Sequence, residues 1–135
     1  MEKQTQVLDA SVMVKWFTKE VQTEKAIILK EKHLKKEIII VIPDIAFTEV
    51  INSLRYKNNN EEKLCEINKN LWNLGCKVEK ITESNIHAAI NIAKKYDIAI
   101  YDALYIAIAK FHSCSFITSD KELYKIPNVI PLEKT

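Results

Sequence analysis

The amino-acid sequence predicts an α/β fold with a mainly parallel sheet. Residues 38–42 are Ile-Ile-Ile-Val-Ile, an unbroken β-branched run typical of a strand that is buried on both faces. Other short apolar runs alternate along the chain with stretches of helical periodicity, which is the pattern of β-α-β units. A length of 135 residues favours one domain, so we treat residues 1–135 as a single unit.

Five segments are predicted to be strands. The first ends at Asp9, the second is the β-branched run, the third is weakly apolar, and the last is short enough to be an edge strand. The predicted strands are residues 5–8, 38–42, 77–81, 115–118 and 129–130.

The helices are predicted from apolar spacing and from their end signals. Leu64, Ile67, Leu71 and Leu74 recur at 3-4-3 spacing, and Gly75 ends that helix. The segment 100–111 is apolar on nearly every face, which predicts a central helix. Ser119 to Glu122 fits a capping box that opens a short helix. The other predicted helices are residues 11–17, 23–36, 44–56 and 84–96.

The composition excludes several classes of protein. Twenty basic and 18 acidic side chains leave a net charge of +2, which is incompatible with a polybasic tail or an acidic disordered chain. The single glycine, Gly75, excludes glycine-rich phosphate loops. Three cysteines without a CxxC pair indicate free thiols in a reducing cytoplasm. No signal peptide or membrane-spanning run is recognisable, so we expect a cytoplasmic protein with no membrane partner.

Acidic residues follow two of the predicted strands. Asp9 comes directly after the first strand, and Asp120 comes shortly after the fourth. Ligands of open parallel sheets bind at the carboxyl ends of the strands, so these two side chains are expected at one edge of the sheet. The alternative for each is a helix-capping role, because carboxylates also stabilise helix N-termini.

Two further carboxylates lie in apolar surroundings. Asp102 is the one charged residue between Ile98 and Ala109, and a buried carboxylate needs a cation, a metal or a raised pKa. Glu49 shares a helical face with Asn52 on an otherwise apolar stripe. The alternatives are a distant lysine partner for Asp102 and a solvent-directed side chain for Glu49. If these acids converge with the strand-end acids, oxygen-only ligands favour Mg²⁺ or Mn²⁺.

Four segments of the sequence resemble the PIN-domain ribonucleases, in particular the VapC-type toxins of prokaryotic toxin–antitoxin pairs. The order and separation of these segments make the resemblance specific, and it covers nearly the whole chain. The segments are VLDASVMVKWF at residues 7–17, PDIAFTEVINSL at 43–54, YDALYIAIA at 101–109 and ITSDKEL at 117–123.

The resemblance implies a three-layer α/β/α fold around a parallel five-stranded sheet. It also implies that Asp9, Glu49, Asp102 and Asp120 form a metal-binding catalytic site. Supporting positions are matched by Ser11, Asn52 and Thr118. The activity implied is endonucleolytic cleavage of single-stranded RNA with Mg²⁺ or Mn²⁺. The implied partners are the RNA substrate, a small antitoxin protein and a second copy of the chain.

The mechanistic hypothesis is metal-assisted hydrolysis of a phosphodiester. Asp9, Asp102 and Asp120 hold one or two metal ions, and Glu49 completes the ligand set or orients the attacking water. Lys15 and Lys121 are candidate phosphate contacts because each is close in sequence to an acid. The simpler interpretation for each is a solvated surface lysine.

Three other functions remain open on the sequence alone. An RNA-processing nuclease of the same family would need no antitoxin. A non-catalytic PIN module would bind RNA or protein without cleaving it. A phosphoacceptor receiver domain is also small and α/β, but Asp9 is followed by Ala10 rather than by a second acid, and Asp102 lies on a helix.

Overall fold

The computed structural model describes residues 4–135, and it contains one sheet of five strands that are all parallel. The strand order is β3-β2-β1-β4-β5. This confirms the predicted α/β class and the five-stranded sheet, with helices on both sides. The strands are β1 (Gln4–Leu8), β2 (Ile38–Pro43), β3 (Lys77–Glu79), β4 (Ser115–Thr118) and β5 (Val129–Pro131).

In residues 4–135, six α-helices lie in the connections from β1 to β4, so these crossovers run over the faces of the sheet as parallel pairing requires, and a 3₁₀ helix lies between β4 and β5. α3 packs against α4, and α5 packs against α6. The helices are α1 (Ala10–Met13), α2 (Thr23–Leu34), α3 (Ala46–Arg55), α4 (Glu61–Asn73), α5 (Glu83–Tyr96) and α6 (Ile100–Phe111).

The core lies between the central strands and α6. Seven consecutive residues of α6, 103–109, are buried, which confirms the prediction of a central helix from its apolar composition. The β-branched strand β2 is buried at Ile38 and throughout residues 40–43, as predicted for a strand covered on both faces. Among residues 4–135, no helix is both long and apolar enough to cross a bilayer.

Two local predictions were wrong. The segment 11–17 is not one α-helix: α1 ends at Met13 and the chain tightens into a 3₁₀ helix at Val14–Trp16. The capping box at Ser119 does not form, because Asp120 is the N-cap and accepts from the backbone N–H of Glu122 at 3.0 Å. The predicted short helix after it is present as a 3₁₀ helix, Lys121–Leu123.

Candidate acidic site

The sheet order places two acids at the point where the topology reverses. β1 and β4 are neighbours in the sheet; the connection after β1 leads to β2 and the connection after β4 leads to β5, in the opposite direction. A crevice forms at the carboxyl ends of strands at such a switch point, and ligands of open α/β sheets bind there. Asp9 follows β1 directly, and Asp120 follows β4 by two residues.

The Asp9 carboxylate is held by hydroxyl groups from two elements. Thr118 Oγ1 donates to Asp9 Oδ2 at 2.7 Å, and Ser11 Oγ donates to the same oxygen at 2.8 Å. Asp9 is buried, and burial raises the pKa of its carboxyl above the ordinary value, although these hydrogen bonds oppose the shift. The Asp9 side chain is therefore oriented before any ligand binds. Its burial costs free energy because the ionised carboxylate loses contact with water.

The same hydroxyls position the loop that carries Asp120. Thr118 Oγ1 accepts from the backbone N–H of Asp120 at 3.0 Å, and Ser11 Oγ accepts from the N–H of Ser119 at 3.1 Å. Each hydroxyl thus donates to Asp9 and accepts from the loop after β4. Ser11 and Thr118, expected to support the site, connect two of its acids.

Asp102 lies in the first turn of α6 and is partly exposed. Burial raises the pKa of its carboxyl to about 6, and the negative charges of Asp9, Asp120 and Glu122 add to the increase. The carboxylates of Asp9, Asp120 and Glu122 are thus near enough to act on the charge of Asp102, and Glu122 was not among the predicted site residues.

Glu49 lies in the first turn of α3, where Tyr105 of α6 donates a hydrogen bond to its Oε1 at 2.7 Å. Burial raises the pKa of Glu49, and the charges of Asp9 and Asp102 raise it further. The contribution of Tyr105 was missed from the sequence. One signal was available: within the apolar run 103–109, Tyr105 is the residue with a polar side-chain atom, and a buried hydroxyl needs a partner.

The site is acidic without a side-chain cation. Within residues 4–135 the ion pairs closer than 4.0 Å are Lys15–Glu20, Lys57–Glu20 and His112–Glu79, and none includes a site carboxylate. In that same part of the chain, no three carboxylate, imidazole or thiol groups lie close enough to form a complete ligand set. A hard cation that binds one or two carboxylates directly and keeps several waters fits such an arrangement.

The remaining predicted residues lie around this cluster. Lys15 is buried and pairs with Glu20 at 3.3 Å, so its charge is already partnered. Lys121 is exposed on the 3₁₀ turn after Asp120. Asn52 is exposed on α3, one turn beyond Glu49, and lines a groove rather than contacting an acid through a hydrogen bond.

The sequence matches the PIN domain family over residues 7–129. The chain belongs to the PIN domain family. That match spans β1 to β5 and includes all four acids. No protein in a curated set matches the sequence.

Several solved structures share the PIN fold of this chain at low identity. A toxin–antitoxin complex from Klebsiella pneumoniae superposes with a TM-score of 0.73 at 16% identity, covering 96% of this chain and 98% of the other. VapBC2 from Rickettsia felis, bound to a promoter DNA fragment, superposes with a TM-score of 0.71 at 15% sequence identity, covering 95% of this chain and 97% of the other. VapC20 from Mycobacterium tuberculosis, a sarcin-ricin-loop-cleaving toxin, superposes with a TM-score of 0.70 at 14% sequence identity, covering 92% of this chain and 96% of the other.

Proposed function

We propose that this PIN domain is a metal-dependent endoribonuclease that hydrolyses single-stranded RNA, and that it is the toxin of a toxin–antitoxin pair. The observation that carries the proposal is the acidic cluster at the switch point of the sheet. The pKa values of Asp9, Glu49 and Asp102 are each raised by burial and by neighbouring carboxylates, and no side-chain cation of the described residues pairs with them. Such a cluster is costly to fold and is typical of a site that binds a divalent cation.

The residues have distinct proposed roles. Asp9, Asp102 and Asp120 would hold Mg²⁺ or Mn²⁺, through direct and water-mediated contacts. A bound divalent ion would supply charge stabilisation for the phosphate and an acidified water. Thr118 and Ser11 orient Asp9, and Tyr105 orients Glu49. Glu49 would complete the ligand set or accept a hydrogen bond from the attacking water.

The charge of the chain supports a phosphate-rich substrate. At least four of the 18 acids are concentrated in the site, which leaves most of the 20 basic residues on the rest of the molecule. The outer surface is therefore mildly basic, and we expect RNA binding that weakens as salt rises. One structural relative is described as cleaving the sarcin-ricin loop, which is RNA.

The proposed partners follow from the structural relatives. Structures of Klebsiella and Rickettsia relatives are toxin–antitoxin complexes. We propose that this chain is likewise inhibited by a small antitoxin protein and that it forms a homodimer. Its three free thiols favour the reducing cytoplasm as its location.

Cleavage assays test the enzymatic part of the proposal. Single-stranded and structured RNAs are incubated with the wild type, Asp9→Asn and Asp102→Asn, each with Mg²⁺, Mn²⁺ or EDTA. We expect cleavage of single-stranded regions by the wild type with metal only, and no cleavage by the variants. Cleavage that survives either substitution would show that the acidic cluster is not the catalytic site. If the wild type does not bind Mn²⁺ in calorimetry, a non-catalytic module is favoured.

A growth assay tests the toxin part. Induction of the wild type in a bacterial host should arrest growth, induction of Asp102→Asn should not, and co-expression of the small reading frame next to the gene should restore growth. Active enzyme without growth arrest would favour an RNA-processing role.

A further inference from the structure

An open groove of about 1080 Å³ runs between α3 and α4, outside the acidic cluster. Its apolar surface includes Phe47, Ile51 and Trp72, and its polar surface includes the side-chain amides of Asn52 and Asn68. A concave apolar surface with a few convergent polar groups is the usual form of a small-ligand site.

Trp72 is a half-exposed apolar part of the groove wall and is held in place by two contacts. Its ring stacks on Phe47 with centroids 3.6 Å apart and planes 4° from parallel. Its Nε1 donates to Asn68 Oδ1 at 3.1 Å. Phe47 is buried whereas Trp72 is 55% exposed, so the exposed surface of the indole is the face opposite Phe47 and the ring edge. The indole is therefore a pre-oriented flat surface, which lowers the entropic cost of binding.

The groove and one of the site acids share helix α3. Thr48 and Asn52 line the groove, and Asn52 is one turn beyond Glu49 on the same helix. The groove continues along α3 to Arg55, about 9 Å along the helix axis from Glu49. A ligand that reaches Asn52 in the groove would thus lie within about one helical turn of Glu49 along α3.

We propose that this groove binds an unpaired nucleobase of the RNA substrate, stacked on the free face of Trp72 and next to the nucleotide whose phosphate enters the acidic site. This inference rests on the proposed ribonuclease function. Aromatic rings stack with bases of any sequence, and side-chain amides can hydrogen-bond to base edges. Arg55 at the far end supplies a cation for the backbone.

A base within a duplex has both faces covered by its neighbours, so it cannot stack on Trp72. The groove therefore provides a physical reason for a preference for single-stranded RNA, which the acidic cluster alone does not. Duplex RNA presents the same phosphates but no accessible base face.

Binding measurements on the Asp102→Asn background, which would prevent cleavage, test the proposal. Fluorescence anisotropy would use a labelled uridine octamer and an abasic octamer with the same backbone. We expect Trp72→Ala to weaken uridine-octamer binding about tenfold, Trp72→Phe to retain most of the affinity, and neither to change abasic-octamer binding. Phe111→Ala is the matched control, because Phe111 is 78% exposed at the opposite end of α6 from Asp102, and it should change neither affinity.

A second measurement does not depend on the folding of Trp72→Ala. The uridine octamer should quench the emission of Trp72 in the Asp102→Asn protein, and this quenching should be absent in Trp72→Phe, because Trp16 is buried.

Two results would overturn the subsite while leaving the ribonuclease intact. One is an unchanged uridine-octamer affinity in Trp72→Ala together with Asp102-dependent cleavage by the wild type; the groove would then belong to another partner, such as a peptide. The other is an equal loss of affinity for the abasic octamer. If the wild type neither binds nor cleaves RNA, the proposed function itself fails, and the subsite with it.

Discussion

The hydroxyl of Tyr105 donates a 2.7 Å hydrogen bond to Oε1 of Glu49, and this contact joins the two helices that carry acids in their first turns. Tyr105 is fully buried, so its ring is fixed by the core and its hydroxyl has a defined position. A carboxylate at the edge of the site is thereby oriented from the interior of the protein.

Tyr105→Phe tests this orientation. The hydrogen bond lowers the pKa of Glu49 against the opposing effect of burial, so its loss should raise that pKa further. We expect cleavage to fall about tenfold and the acidic limb of its pH profile to move to higher pH. Tyr96→Phe, on α5, is the control and should leave both unchanged. An unshifted profile in Tyr105→Phe would mean that this hydrogen bond is only structural.

Asp102→Asn should stabilise the metal-free protein while it abolishes cleavage. The folded-state pKa of Asp102 is about 6 against an ordinary value of 3.8, so its favourable contribution is complete below about pH 3.8 and is lost as the pH rises through 6. The shift corresponds to roughly 3 kcal/mol, and solvent screening of this partly exposed group reduces it to about 1 kcal/mol.

Thermal unfolding in EDTA measures this effect. At pH 7 the melting temperature of Asp102→Asn should exceed that of the wild type by about 3–5 °C, and the difference should disappear near pH 4. A constant difference across this range would show that the charge of Asp102 is not the cause.

Divalent cations should stabilise the wild type and displace protons from it. A carboxyl with a pKa of about 6 is partly protonated at pH 6, and a cation binds its ionised form. Calorimetry with Mn²⁺ at pH 6, in two buffers of different ionisation enthalpy, should show proton release that decreases by pH 8. Glu66→Gln, an exposed acid on α4, should behave as the wild type, and Asp9→Asn should bind Mn²⁺ more weakly. Equal affinity in Asp9→Asn would place the ion elsewhere.

Thr118→Val should destabilise the fold although valine has nearly the same shape. Thr118 is fully buried, and its hydroxyl donates to the Asp9 carboxylate and accepts from the backbone N–H of Asp120. Valine has no hydroxyl, so the carboxylate and the N–H each lose one hydrogen bond. We expect a loss of about 1–3 kcal/mol in the free energy of unfolding, measured by urea denaturation at pH 7. Thr118→Ser keeps the hydroxyl and should lose less. Equal losses in the two variants would mean that the hydroxyl group contributes no more to stability than the methyl group that Thr118→Ser removes.

Much of the architecture could be predicted from the sequence because apolar periodicity specifies it. The β-branched run became the buried strand β2, and the apolar segment 100–111 became the central helix α6. Asp9 and Asp120 were placed together by topology, since parallel strands align their carboxyl ends. None of these inferences needed side-chain geometry.

The wrong cap and the missed side-chain contacts share one physical cause, which is hydrogen bonding. The groups involved are either distant in sequence or compete locally for the same partner. At Ser119 two residues could cap the same turn, and Asp120 was the one that did. The bond from Thr118 to Asp9 spans 109 residues, and that from Tyr105 to Glu49 spans 56. Hydropathy patterns hold no information on such pairs, so they become visible only when the elements are packed.

The chemical ends of the RNA products test the central claim most directly. Water attack on the phosphorus with departure of the 3′-oxygen leaves a 5′-phosphate and a 3′-hydroxyl, whereas attack by the ribose 2′-hydroxyl leaves a 2′,3′-cyclic phosphate. A single-stranded RNA cleaved by the wild type with Mn²⁺ should yield 5′-phosphate and 3′-hydroxyl ends by mass spectrometry, and Asp102→Asn should yield no product. Cyclic phosphate ends, or the same products from Asp102→Asn, would contradict metal-assisted hydrolysis at the acidic cluster.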